Sequence, residues 1–238
     1  MAPTSGTAAD LVRLKGRRRI SVCIPARDEE ATVGPIVASV RSALVESVAL
    51  VDEILVVDDG SADSTAGAAR AAGARVVDAS GVLAGVEGTA GPGKGQALWK
   101  AVAEAEGDLL VFCDADVSNF GPHFVTGLLA PLLADESVAM VKAVYERPLN
   151  GALQEGGRVT ELMARPLLAA LFPHLGGIAQ PLAGEAASRR EVLEQLPFAH
   201  GYGVELGLLL DVAGRFGVEA LAQADLGQRA HRNRALRE

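Results

Sequence analysis

The sequence predicts an α/β protein whose mostly parallel sheet is flanked by helices, with a smaller portion toward the C-terminal side. Three observations carry this. Short apolar runs alternate with stretches of helical periodicity through the first half of the chain, the pattern of successive βαβ units. Polar clusters follow directly on three of the apolar runs. The 238 residues suffice for one large domain, or at most a domain with a small lobe.

Taken in order, residues 20–24 (ISVCI) read as a first strand stopped by Pro25, and 29–48 as a helix. Residues 53–57 (EILVV) form a second strand, and a helix over 63–72 closes at Gly73. A short strand spans 74–77. The glycine-rich, unpatterned stretch 79–95 reads as a mobile loop. Residues 96–105 are helical, 108–113 (DLLVFC) a fourth strand, 122–133 a helix and 138–145 a further strand. Beyond Asn150 the alternation weakens: 151–158 reads as a loop, 159–171 as a helix, 173–184 as a loop, and 204–216 as an amphipathic helix. Residues 1–19 are expected to be a flexible leader. They lack the apolar core of a signal peptide and end in Arg17-Arg18-Arg19.

Composition excludes several functions. Nearly half of the residues are apolar, as in an ordinary globular protein. A net charge of −8 argues against a nucleic-acid surface. No apolar run approaches the ~18–20 residues that span a bilayer, so stable membrane insertion is not expected. Two cysteines, Cys23 and Cys113, lie inside apolar runs and read as buried thiols of a cytoplasmic protein.

The chemistry gathers at strand ends. Pro25-Ala26-Arg27-Asp28-Glu29, Asp58-Asp59-Gly60-Ser61 and Asp114-Ala115-Asp116 each follow a predicted strand. In an open parallel sheet such ends are where ligands bind, so the three clusters should converge. In extended geometry Asp114 and Asp116 point the same way, and two such charges call for a cation. Mg²⁺ or Mn²⁺ carrying a diphosphate answers that need, because such ions keep few protein ligands. A lone Asp-x-Asp also occurs as a solvated turn or helix cap; its two companions favour the metal. Asp58-Asp59-Gly60-Ser61 suits the base and ribose of a nucleotide, and can cap the next helix as well. Gly93-Lys94-Gly95 sets a cation between two permissive residues. Gln96 follows it, which departs from a phosphate loop, and no Gly-x-Gly-x-x-Gly follows the first strand.

PARDEE, VVDDGSADST, GKG and DAD in this order resemble the GT-A (Rossmann-like) glycosyltransferases. Four later motifs narrow the resemblance: GGRVTEL at 156–162, QPLAGE at 180–185, GYGVEL at 201–206 and DLGQRAHRN at 225–233. Together they are similar to the glucosyl-3-phosphoglycerate synthases, over roughly residues 20–235. The resemblance implies a retaining transfer of glucose from UDP-glucose to 3-phosphoglycerate by a single GT-A domain over 20–238. Within it, about 20–147 would bind the nucleotide sugar and about 148–238 the acceptor. Pro25, Ala26, Arg27, Glu29, Asp59, Ser61, Lys94, Asp114 and Ala115 would then surround the donor, with Arg229 at the diphosphate. Asp116 and His231 would ligate Mg²⁺ or Mn²⁺. Gly157, Arg158, Thr160 and Asn233 would hold the phosphoglycerate, and Leu182 and Glu205 would lie near the transferred sugar. Glu205 and Asp116 are the residues expected to carry the chemistry. Retention admits a covalent intermediate or front-face attack, and the second is favoured because the leaving diphosphate supplies its own base.

The chain also departs from the pattern. Asp28 stands where Asn is common, and Ala186-Ala187-Ser188 replaces bulkier residues. The resemblance implies a homodimer, although the chain stops at Glu238, short of the extension that contributes to dimer contacts in relatives. Two rivals are an inverting transferase acting on a polyprenyl phosphate or another small acid, and an idle sugar-nucleotide-binding protein.

Overall fold

The computed structural model describes residues 7–88, 90–146, 157 and 159–230. Seven strands share one sheet: β1 (Ile20–Ala26), β2 (Glu53–Asp58), β3 (Arg75–Asp78), β4 (Leu109–Phe112), β5 (Met140–Glu146), β6 (Ala186–Arg189) and β7 (Leu221–Gln228). Their order is β3-β2-β1-β4-β6-β5-β7. Only β6 runs against its neighbours β4 and β5; the other paired strands are parallel. The expected mostly parallel α/β sheet is what forms.

Eight α-helices cover it: α1 (Ala8–Lys15), α2 (Glu30–Val40), α3 (Thr65–Ala72), α4 (Lys94–Glu104), α5 (Pro122–Ala134), α6 (Arg165–Leu171), α7 (Arg190–Leu193) and α8 (Val204–Phe216). Strand residues alternate between two apolar layers. Val22, Val56, Val111 and Val141 face α1, α2, α3 and α5. Leu55, Leu110, Phe112 and Met140 face α4, α7 and α8. Both faces of β1, β2 and β4 are therefore dry, and their sequences are near-continuous apolar runs.

Four expectations need correction. Pro25 does not stop β1. The Cys23 carbonyl accepts from the Cys113 N–H, so odd residues of β1 face β4. Pro25 comes next in that series, past the end of β4, where its missing donor costs nothing. The predicted leader is structured from Ala8 to Lys15, where α1 starts on a Thr7/Asp10 capping box and buries Leu11. The helix read at 29–48 changes at Arg41 to a π turn ending at Glu46. Finally, β6 and β7 were not predicted, yet both enter the same sheet, so the C-terminal portion is woven into the donor side.

Cys23 and Cys113 are adjacent in the sheet but project into opposite layers, which keeps both as buried free thiols. No helix of the described residues is long and apolar enough to cross a membrane.

Candidate active site

The carboxyl ends of β1, β2 and β4 lie side by side, and the three polar clusters meet there. The loop after β1 and the loop after β2 hold each other. The Asp28 N–H donates to Ser61 Oγ (3.0 Å), Asp28 Oδ1 accepts from the Ala62 N–H (2.8 Å), and the Glu29 N–H donates to Thr65 Oγ1 (2.8 Å). Asp28 has φ 56, a left-handed conformation that Asp and Asn tolerate best among residues with a Cβ. Its departure from Asn therefore keeps the turn.

Asp59 Oδ2 accepts from the Gly93 N–H at 2.8 Å, tying the loop after β2 to the start of α4. Burial raises the Asp59 pKa, partly offset by that bond and by the charges of Arg27 and Lys100. Arg27, Asp59, Asp78 and Lys100 line a cavity of about 720 Å³, together with residues 84–86 and 90–92 on another side. Ala26 and Glu29 are buried, whereas Arg27 stands exposed at its edge.

At the end of β4 the chain turns at Ala115, so the carboxylates converge through a turn rather than along an extended strand. Ala115 itself packs into the core. Arg229 Nη2 donates to both Asp114 Oδ2 (2.8 Å) and Asp116 Oδ1 (3.0 Å), and its Nε donates to Glu185 Oε1 (2.6 Å). On the other side Lys94 Nζ pairs with Asp114 Oδ1 (2.6 Å) and Glu205 Oε1 (2.8 Å). The cation that the carboxylate pair requires is thus supplied first by the protein. Burial alone would lower the pKa of Lys94 and of Arg229; the facing carboxylates outweigh it and hold both well above their ordinary values. Burial raises that of Glu185, which is fully enclosed, and Asp114 adds to the rise against the offset from Arg229.

Local sequence sets these positions. Glu205 is in the first turn of α8, where the helix dipole favours a carboxylate. Lys94 opens α4 after Gly93. A Cβ on Gly184 would overlap the Asp114 carboxylate and Lys94 Nζ, so any larger residue there would displace that ion pair. Arg229 is aimed by the turn after Asp116: Asn119 Nδ2 donates to the Gln228 carbonyl (2.8 Å), and Asn119 Oδ1 accepts from the Ala230 N–H (2.8 Å). The Tyr145 ring lies beneath the guanidinium, 5.6 Å from centroid to Cζ. Neither Asn119 nor Tyr145 was foreseen as support for the site.

Asp116, a predicted metal ligand, is more open than its companion Asp114, its side chain 31% exposed against 19%. Its ion pair with Arg229 uses Oδ1 alone. That oxygen set suits a hard divalent ion that draws other ligands from phosphate and water. His231 lies outside the described residues, as do Arg158 and Asn233. Among the described residues no group of three or more His, Cys, Asp or Glu is arranged to hold a metal. Thr160 is buried, and its N–H donates to the Gly157 carbonyl at 2.7 Å. Leu182 is half-buried, two residues before Gly184.

Residues 21–196 match glycosyl transferase family 2. The chain is 52% identical to the glucosyl-3-phosphoglycerate synthase of Mycolicibacterium paratuberculosis, covering 98% of this chain and 71% of that one. The chain belongs to the glucosyl-3-phosphoglycerate synthases of glycosyl transferase family 2. The Petrotoga mobilis synthase is 46% identical, over 95% of this chain and 71% of its own. The crystal structure of the Mycobacterium tuberculosis synthase with Mn²⁺, UDP-glucose and phosphoglyceric acid superposes with a TM-score of 0.88 at 48% identity, covering 98% of this chain and 78% of that one. The same enzyme with Mg²⁺ and UDP gives a TM-score of 0.87 at 49% identity, covering 97% of this chain and 77% of that one.

Proposed function

We propose that the chain transfers glucose from UDP-glucose to 3-phosphoglycerate with retention of anomeric configuration. One observation carries this reading: Lys94, Arg229, Asp114, Asp116 and Glu205 form a single charge network at the strand ends. They do so in a chain about half identical to synthases that bind those substrates.

In this reading Pro25, Ala26, Arg27, Glu29, Asp59 and Ser61 seat the uridine in and beside the cavity. Asp116 and His231 hold Mg²⁺ or Mn²⁺, and a bound divalent ion there neutralises the charge of the departing diphosphate. Lys94 and Arg229 turn from internal carboxylates toward the phosphate oxygens. Glu205 faces the sugar and stabilises positive charge at the anomeric carbon. Gly157, Arg158, Thr160 and Asn233 receive the phosphoglycerate, with the Arg158 guanidinium as its fork for phosphate or carboxylate. The acceptor hydroxyl attacks from the face the diphosphate leaves, and its proton passes to a leaving phosphate oxygen.

The deciding experiment measures UDP release from UDP-glucose with and without 3-phosphoglycerate, together with the anomeric configuration of the product. Acceptor-stimulated release of an α-linked product is expected; its absence removes the assignment. An inverted product would favour the polyprenyl-phosphate type of rival.

The same reading includes a homodimer and a cytoplasmic location. Leu162, Met163, Leu167 and Leu171 form an exposed apolar face along residues 160–171, which suits burial against a second copy. Sedimentation velocity tests it, and a monomer at micromolar concentration would refute it. The two buried free thiols suit a reducing compartment.

A further inference from the structure

Lys142 takes no part in the contacts above. It sits in the middle of β5 and is 3% exposed. Its neighbours Val141 and Ala143 face the layer of α2 and α5, so Lys142 projects to the other side, toward α4 and α8. There its Nζ donates to the Ala183 carbonyl at 2.5 Å. In register with Lys142 on β7 is Gln223, on the same face of the sheet. Gln223 Oε1 accepts from the Ala179 N–H (2.8 Å), and its Nε2 donates to the Gly177 carbonyl (3.0 Å). Two polar side chains, adjacent across the ladder, thus grip the same segment, 177–184.

That segment is irregular, with a turn bond from the Ala183 N–H to the Gln180 carbonyl, and these contacts satisfy three more of its backbone groups. At its far end Gly184 lies so close to Asp114 and Lys94 that a Cβ there would displace their side chains. We propose that Lys142 and Gln223 are positioning residues for sugar transfer. They clamp the 177–184 segment so that Gly184 stays registered against Asp114 and Lys94. The inference rests on the transferase reading above.

The surroundings of Lys142 fit a charged anchor. Glu205 from α8, Glu185 ahead of β6 and Asp114 after β4 attract it, while Lys94 from α4 repels it. Its register partner on β6 is Ala186, which is uncharged. Burial lowers its pKa to about 8. The ammonium, and with it the charge-assisted bond to Ala183, is lost as pH rises through that value.

The test uses the full chain with Lys142→Met, which keeps length without charge, and Gln223→Leu. Hydrogen exchange of the amides in 177–184 should rise about tenfold or more in each variant. The kcat for acceptor-stimulated UDP release should fall about tenfold or more, while the Kd for UDP with Mn²⁺ stays within about twofold. Wild-type kcat should decline above about pH 8, and Lys142→Met should lack that decline. Unchanged exchange, or unchanged kcat beside an active wild type, overturns the proposal. So does a parallel loss of UDP binding, which would mark general damage. If Lys142→Met fails to fold, Gln223→Leu decides alone. A wild type without acceptor-stimulated release removes the transferase reading and the catalytic half of this inference, while exchange still decides whether the clamp exists.

Discussion

Arg229 divides one guanidinium among Asp114, Asp116 and Glu185, and the three carboxylates are not equally committed to it. Glu185 is fully enclosed and Asp114 is also held by Lys94, whereas Asp116 reaches the cleft. Asp116 can therefore be removed without stranding a buried charge, because Arg229 keeps two partners. Asp116→Ala should fold normally and lose metal-dependent UDP binding. Calorimetric titration with and without Mg²⁺ reads this directly, and an unchanged affinity in Mg²⁺ would exclude Asp116 as a ligand. Lys142 gives a residue-level pH prediction. Its folded pKa of about 8 lies below the ordinary lysine value, 10.5, so between those limits the unfolded chain binds more protons. Stability contributed at this site therefore rises with pH above about 8. The melting temperature of wild type relative to Lys142→Met should climb between pH 7 and 10; a constant or falling difference would be the wrong sign.

Elements were legible in proportion to how simply they are buried. β1, β2 and β4 have dry faces on both sides, so ISVCI, EILVV and DLLVFC announce themselves. β6 is flanked by antiparallel neighbours and carries three small residues and an arginine, AASR, which show no apolar run. β7 buries Ala224 and Leu226 between polar and glycine positions, too thin an alternation to stand out. Missing these strands hid the clamp, because Lys142 and Gln223 become neighbours only through the β5–β7 pairing. The strand-end clusters were readable from local order alone. By contrast, Arg229 and Asp114 are 115 residues apart, and only the family motif joined them. α1 was missed because a helix of 8 residues buries little more than Leu11 and the stem of Lys15, although Thr7-x-x-Asp10 signalled its start. It is nonetheless part of the core over α5. Leu11→Ala should cost about 3 kcal/mol in urea unfolding, in the range for a fully buried leucine. A cost near zero would return these residues to the status of a leader.

At the scale of the whole molecule, an acidic protein must accept two anionic substrates. A net charge of −8 gives no long-range attraction, so the positive charge has to be local and shielded. On the donor side it is kept internally paired: Lys94 and Arg229 are bound to carboxylates, and in the proposed reading they turn from these to the diphosphate. On the acceptor side the reading rests on Arg158, so Arg158→Ala should raise the KM for 3-phosphoglycerate far more than that for UDP-glucose. Equal effects on both would move Arg158 away from the acceptor. In the central cluster the four carboxylates Asp114, Asp116, Glu185 and Glu205 exceed Lys94 and Arg229 by two charges. UDP alone therefore meets a site that is net negative. A divalent ion added there cancels that excess and removes the repulsion of the diphosphate. Mn²⁺ and UDP together, at about a hundred times Kd, should stabilise the fold by about 2.7 kcal/mol and raise Tm by roughly 5–10 °C. UDP with a chelator should produce little of that shift. Thermal melts of the four combinations check the coupling, and a full shift with UDP and chelator would show that the network binds the diphosphate without a metal.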